Sequence, residues 1–324
     1  MRGQVLLAAL LVLAGCEPQP RTLVTFVGDV LLDSKPGEMI RAGADPFGKV
    51  AGALGAADLV VANLECAVGN RGMAVEKEYT FRADPAAVAV LQRHVHLVSL
   101  ANNHSGDYGD EALLDTMAHL RSARIGFFGA GENLSEAHRA FLVATRSATL
   151  GFLGYDEYQP RWFEAGVESA GVAWSEDELV LRDISEARRQ GAEVVIPFMH
   201  WGWEQESAPT PRQRALARKM IDGGAEAVIG THPHQTQGVE YYRGKLIVYS
   251  LGNFVFDLVD NEVERRGWLL RVELDREGVR RWATQLIRID ANGSPVLDRR
   301  AATPCGLRGR SRIEACKNGE LPAR

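Results

Sequence analysis

SLANNHSGDYGDEALLD, residues Ser99 to Asp115, sets two asparagines and a histidine between a run that reads as a strand and a run that reads as a helix. Upstream, Val95 to Ala101 is apolar enough for a buried strand. Downstream, Tyr108 to Arg121 carries Leu113, Leu114, Met117 and Leu120 on one helical face. Asn102, Asn103 and His104 therefore fall in the loop at a strand's C-terminal end, where open α/β sheets build their sites. Alone, the stretch is equally a turn, because asparagine tolerates positive φ and caps backbone groups. The decision rests on whether other strand ends carry matching chemistry.

Working outward, several do. Leu23 to Val27 runs into Gly28-Asp29, and Asp58 to Ala62 runs into Asn63-Leu64-Glu65. Glu193 to Met199 ends at His200-Trp201-Gly202, and Glu226 to Ile229 ends at Gly230-Thr231-His232-Pro233-His234. Ile125 to Phe128 is a further strand. Helical patterns separate these runs at Pro46 to Leu54, Pro85 to Gln92, Glu176 to Gln190 and Pro211 to Asp222. The alternation predicts an α/β fold with a largely parallel core. Three more pairs of runs lack an intervening helix: Phe141 to Thr145 with Ala148 to Leu153, Val239 to Tyr242 with Leu246 to Ser250, and Trp268 to Leu274 with Val279 to Ile289. They predict a second sheet packed on the first, with helices outside both. One domain is expected over residues 23–290, and residues 291–324 read as a polar, Arg-rich, peripheral extension.

Five strand ends thus deliver Asp29, Glu65, Asn103 with His104, His200, and His232 with His234. A single strand-end Asp or His more often satisfies the backbone than binds a metal. Five on one edge argue for a site. Imidazole, carboxylate and amide oxygen together suit a borderline divalent cation such as zinc, manganese or iron. Two such ions about 3.5–4 Å apart, sharing a carboxylate, stabilise an in-line displacement at phosphorus. Trp201, Trp203 and Glu204 follow His200 directly. They read either as packing under the loop or as a wall beside the site, with Glu204 accepting a hydrogen bond from a ligand histidine. Asp107 reads as a support for His104 or as a cap on the following helix.

The ordered set Gly28-Asp29, Asn63-Leu64-Glu65, Ala101-Asn102-Asn103-His104, His200-Trp201-Gly202, Gly230-Thr231-His232-Pro233-His234 and Tyr249-Ser250-Leu251-Gly252-Asn253-Phe254 resembles the calcineurin-like metallophosphoesterase superfamily. More closely, it resembles the bacterial CapA (poly-γ-glutamate capsule biosynthesis) branch. That resemblance implies a four-layer α/β/β/α sandwich holding one or two divalent metal ions. It implies that Asp29 and His234 hold one ion, that Asn103, His200 and His232 hold the other, and that Glu65 bridges them. His104 would act on the substrate, with Asp107, Trp201, Glu204 and Asn253 around it. Leu31 stands where the superfamily carries a histidine, and Glu65 stands where it usually carries Asp. The implied role is assistance in the synthesis, export or anchoring of an anionic exopolymer, with other subunits of a membrane complex as partners. A phosphoesterase-type hydrolase on an envelope substrate and a non-enzymatic metal-dependent binding subunit are the alternatives.

The termini carry separate signals. Arg2 followed by the apolar run Val5 to Leu13 and by Leu13-Ala14-Gly15-Cys16 resembles a bacterial lipoprotein signal. It implies a lipidated Cys16, a tether over residues 17–22, and an envelope location outside the cytoplasm. An ordinary cleaved signal is the alternative. Cys305 and Cys316 flank a short polar stretch and are expected to close a disulfide loop in an oxidising compartment. For so short a loop, chain entropy gives about 3 kcal/mol. A metal site on this pair is the remoter reading, since no His or further Cys lies nearby. Cys66 reads as a small buried hydrophobe. A formal charge of -5 over 324 residues gives no indication of a nucleic-acid partner, and no later segment is apolar enough to span a bilayer.

Overall fold

A computed structural model of the chain describes residues 20–259 and 261–323. Its centre is two sheets laid face to face. In the first, the strands Thr22–Val30, Leu59–Leu64, Leu97–Ser99 and Gly126–Phe128 lie side by side and parallel. In the second, Thr149–Asp156, Val194–His200, Ala227–Thr231 and Lys245–Val248 are likewise parallel. Antiparallel strands flank both sets. Arg266–Asp275 and Gly278–Ile289 extend the first sheet, while Phe141–Ala144 and Val239–Tyr242 edge the second.

The alternation of side chains along each strand builds the layers. In Leu59–Leu64, Val61 faces the other sheet, whereas Val60 and Ala62 face helices. Phe26 of the first sheet packs against Phe152 and Phe198 of the second, with ring centroids 6.3 and 6.4 Å apart. On the outer face of the first sheet, Leu113, Met117 and Leu120 of the helix Gly109–Ser122 close a second core. On the outer face of the second sheet, Val180 and Ile184 of Asp177–Arg189 and Leu216 and Met220 of Pro211–Asp222 close a third. The result is the four-layer α/β/β/α sandwich. The helix Pro211–Asp222 is started by a capping box between Thr210 and Gln213, with Pro211 in its first turn.

One close approach fixes the register at the site. The strand Asn253–Val255 pairs in parallel with the end of Thr22–Val30, setting Asn253 beside Asp29, and Asp29 N–H donates to the Gly252 carbonyl at 3.1 Å. This contact needs a glycine at position 28.

The C-terminal stretch differs from expectation. Past residue 290 the chain adds strands Pro295–Leu297, Ala302–Leu307 and Glu314–Lys317 to the antiparallel edge of the first sheet. Cys305 sits opposite Ala283 and is fully buried, which makes this segment part of the sheet. Its polar composition hid the strands, because only one face of an edge ribbon is covered. Cys305 and Cys316 are disulfide-bonded. Cys66 is buried, and burial, more than its acidic neighbours Asp33, Glu65 and Asp107, pushes its thiol up to about 12. Native protein should therefore take up no alkylating reagent at any of these three cysteines, and unreduced, unfolded protein should take up one equivalent at Cys66. Labelling at Cys305 or Cys316 in unreduced exported material would contradict the pairing. Cys16 lies outside the described residues; among the described residues no helix is long and apolar enough to cross a membrane.

Candidate metal centre

The C-terminal ends of the parallel strands from both sheets meet at one edge, and Asp29, Glu65, Asn103, His200, His232 and His234 converge there. Asp29, Glu65, His200 and His232 are all at or below 1% exposure, and Asn103 is at 4%. The Glu65 carboxylate lies within 4.8 Å of ring nitrogens of His232 and His234, and within the same distance of donor atoms of Asp29 and His200. Glu65 is therefore common to two donor groups. The groups overlap: His232 and His234 lie with Glu65, Asp29 and His200 lie with Glu65, and Asp29 Oδ2 is also 3.5 Å from His234 Nδ1, the pairing the resemblance implies. Asn103 Oδ1 stands 2.8 Å from His200 Nε2, which in turn is 3.5 Å from Glu65 Oε1.

Three donor atoms here are buried without a hydrogen-bond partner among the described residues: Glu65 Oε1 and both ring nitrogens of His232. Buried polar atoms are seldom left unpaired unless a ligand completes them. A carboxylate oxygen facing imidazole nitrogens is a donor set suited to a divalent cation. The backbone is also held in a sparsely populated conformation at the same place. His232 and His234 have φ of +95° and +57°, a cost that persists at functional sites where surrounding structure imposes it.

Burial and mutual repulsion hold His200 and His232 well below the usual imidazole range, so both are neutral and able to ligate. His234 differs. Burial would lower it, but the Glu65 and Asp29 carboxylates and the Asn253 side chain raise it to about 10. Asn253 fixes its orientation: Nδ2 of Asn253 donates to the His234 and Glu264 carbonyls, so its Oδ1 must accept from His234 Nδ1 at 2.8 Å. That leaves His234 Nε2 facing Glu65 Oε1, 4.0 Å away. Glu65 is held well above the carboxylate range, first by burial and then by Asp29.

His104 stands beside this group. Its Nδ1 is 2.7 Å from Asp107 Oδ2, and its ring lies on Phe81 at 4.5 Å. Asp107 also accepts from Lys77 Nζ at 2.8 Å and from Phe81 N–H at 2.8 Å. Asp107 thus supports His104, and no side chain caps the helix Gly109–Ser122. The ionised Asp107 carboxylate, paired with Lys77, only accepts, so His104 Nδ1–H points to Asp107 and Nε2 is left for a cavity of about 180 Å³ shared with His234, Glu204, Tyr79 and Phe256. Asn102 shapes the loop: its Nδ2 donates to Asn63 Oδ1 and the Leu64 carbonyl, and its Oδ1 accepts from His104 N–H.

Of the two readings of Trp201, packing under the loop holds and a wall beside the site does not. One residue past His200, the strand's alternation turns it to the helix layer, where it is fully buried and donates to the Tyr249 carbonyl at 2.9 Å. Glu204 is exposed at the cavity rim, and none of its hydrogen bonds reaches a histidine among the described residues. Conversely, sequence reading assigned no role to Asn63, Lys77 or Asp156. Asn63 Nδ2 sits between Asp29 Oδ1 at 2.8 Å and His200 Nδ1 at 3.3 Å, tying the two sheets together. Lys77 reaches the Asn103 carbonyl at 2.8 Å as well as Asp107. Asp156 ends the strand beside His200, and burial pushes its carboxyl up to about 7.

Residues 23–258 match the family model described as bacterial capsule synthesis protein PGA_cap. The chain is 32% identical over 286 residues to the PGA biosynthesis protein CapA of Bacillus subtilis, a match covering 84% of this chain and 73% of that one. It is 32% identical over 244 residues to the capsule biosynthesis protein CapA of Bacillus anthracis, covering 72% of this chain and 59% of that one. Among solved structures, the NAD nucleotidase of Haemophilus influenzae aligns over 86% of this chain and 54% of its own, with 13% identity and a TM-score of 0.48. The matched segment holds all six strand-end donors, and the chain belongs to the bacterial capsule synthesis protein PGA_cap family.

Proposed function

We propose that this chain is an envelope protein whose divalent-metal site serves the synthesis, export or anchoring of an anionic exopolymer of the poly-γ-glutamate kind. The family and the relatives named for PGA and capsule biosynthesis support the polymer. The observation that carries the metal is the buried, unpaired Glu65 Oε1 in a group whose His232 ring also has both nitrogens buried and unpaired. Asp29, Glu65, Asn103, His200, His232 and His234 would hold the ion, which when bound supplies Lewis-acid polarisation of a carbonyl or phosphoryl oxygen.

The chain's own residues divide the remaining work. Asp107 and Lys77 hold the His104 ring, so that Nε2 can exchange a proton with a group lodged in the cavity. Phe81 and Phe256 keep water from one side of that cavity. A free, oriented imidazole beside the metal donors favours a hydrolase-type reaction on an envelope substrate over a purely binding role. The anchor belongs to the same reading: lipid on Cys16 would tether the domain to a membrane, where it meets other subunits of an exopolymer complex.

In cells that make the polymer with this protein, His104→Ala should abolish surface polymer while the purified variant keeps its metal. Undiminished polymer would overturn the catalytic role. Cys16→Ser should lose lipid labelling and membrane association, and membrane association without lipid on Cys16 would overturn the anchor.

A further inference from the structure

Charge is unevenly distributed along this chain. Between Arg299 and Arg324, seven arginines and lysines stand against two acids, a net +5 in a chain whose total is -5. The segment carrying this charge lies outside the family match, which ends at residue 258. It is built as a two-stranded ribbon, Ala302–Leu307 against Glu314–Lys317, stapled by the Cys305–Cys316 disulfide and lying at the outer edge of the ten-stranded sheet.

The cations are set along the ribbon's length. Lys317 pairs opposite Ala302, next to Arg299 and Arg300, while Arg312 lies in the turn at the other end. Six residues of strand separate the ends by about 20 Å. Arg299, Arg300, Arg312 and Lys317 are exposed, and none has a carboxylate partner among the described residues, although most cations elsewhere on this surface are paired. Charged side chains on an edge strand also deter edge-to-edge pairing, but that task does not require cations of one sign before, between and within the strands.

From this distribution we infer that the ribbon is a docking strip for an extended polycarboxylate. The inference rests on the polymer-handling role proposed above. Unpaired cations at both ends of a ribbon about 20 Å long suit the repeating negative charge of a linear polyanion, which can reach both at once. A lipid surface fits less well. Membrane-seated basic segments add apolar side chains that enter the bilayer, and no large apolar side chain is exposed between residues 298 and 323.

The test compares four full-length proteins: wild type, a strip variant (Arg299→Gln, Arg300→Gln, Arg312→Gln, Lys317→Gln), a control losing four exposed cations elsewhere (Arg93→Gln, Arg124→Gln, Arg139→Gln, Arg189→Gln), and His232→Ala. Each is titrated with poly-γ-glutamate, with monomeric glutamate and with phosphatidylglycerol vesicles, at low and high salt. Exposed ion pairs are individually weak, so removing four should weaken polymer binding on the order of tenfold. The control should bind polymer as wild type does, monomeric glutamate should not compete, and wild-type binding should fall with salt. Equal loss in strip variant and control would reduce the effect to net charge and overturn the inference. Loss of vesicle binding in place of polymer binding would assign the strip to lipid and overturn it too. Loss only in His232→Ala would move the polymer to the metal centre, overturning the strip while leaving the proposed function standing. No polymer binding by wild type, with metal loading intact, would also overturn it.

Discussion

Glu65→Gln is expected to strip the protein of divalent metal and, at the same time, to make the metal-free protein more resistant to heat. Both effects come from one carboxylate. Glu65 is the donor shared by the His232–His234 group and by the Asp29–His200 group, so no pair of ions can bind without it. Glutamine keeps the shape and removes the charge. In the absence of metal, that charge is a burden. Burial and then Asp29 hold the Glu65 carboxyl well above its ordinary value of 4.5. A carboxyl whose folded pKa is raised binds more protons folded than unfolded, so ionised Glu65 weakens the metal-free protein once the pH exceeds about 4.5. At neutral pH the substitution relieves the crowding of Asp29, which keeps His234 at 3.5 Å, although His234 loses the larger of the two carboxylate influences that raise it. A rise of a few degrees in the metal-free melting temperature is expected, on the order of 1 kcal/mol for a domain of this size. Calorimetry of metal-free wild type and variant, with elemental analysis of both after loading, reads the two effects separately. Retained metal, or a lower melting temperature without metal, would count against the shared-donor geometry.

Gly28→Ala is expected to be the most damaging single-methyl change in the chain. A Cβ at position 28 would lie 1.7 Å from the Gly252 carbonyl oxygen and 2.9 Å from its carbon, both backbone atoms that no rotamer change can move. Relief requires separating the Asn253–Val255 strand from Thr22–Val30. That separation breaks the Asp29 N–H contact to Gly252 and moves Asn253 away from Asp29. Overpacking a tight core commonly costs about 1–3 kcal/mol, and a backbone clash of this depth belongs at or beyond the upper end. Most of the variant should be insoluble, and the soluble part should bind metal poorly. Wild-type melting behaviour would show that the two strands are not packed as described. A methyl at Gly43, where nothing lies within 4 Å, is the matched control for space, although its φ of +81° adds strain of its own.

Most of the donor set could be read from the sequence because its chemistry sits at strand ends. A run such as Val194–His200 announces both its strand and the edge at which it stops, and His200 is simply the next inward position. The same rule decides between the two readings of Trp201, since one further residue reverses the face. What could not be read depends on chain that returns from elsewhere. Lys77 lies in a loop without periodicity, and only the folded chain shows that loop lying over Asn103 and Asp107. Asn63 was visible beside Glu65, but its contacts to Asp29 and His200 need both sheets in place. Asp156 was missed for a simpler reason: the strand Thr149–Asp156 runs three residues past Leu153, the last residue of its apolar run, and the carboxylate is its final residue. The ribbon past residue 290 has one covered face, too little for its pattern to stand out among so many arginines.

The central claim is that Glu65, His232 and their neighbours form one pocket for a divalent metal. The most direct measurement is metal content and proton release when metal-free protein is loaded with zinc or manganese at pH 8, then brought to acid pH. His234 is protonated below about 10 in the metal-free protein, and ligation requires its neutral ring. Loading wild type at pH 8 should therefore bind metal and release protons. The metal should leave as the pH falls below the imidazole range, near 6–7, because Glu65 and the histidines then take up protons in its place. His232→Ala should bind little metal and release few protons, whereas His104→Ala should match wild type. Wild type that holds no metal at pH 8, or His232→Ala that holds as much as wild type, would contradict it.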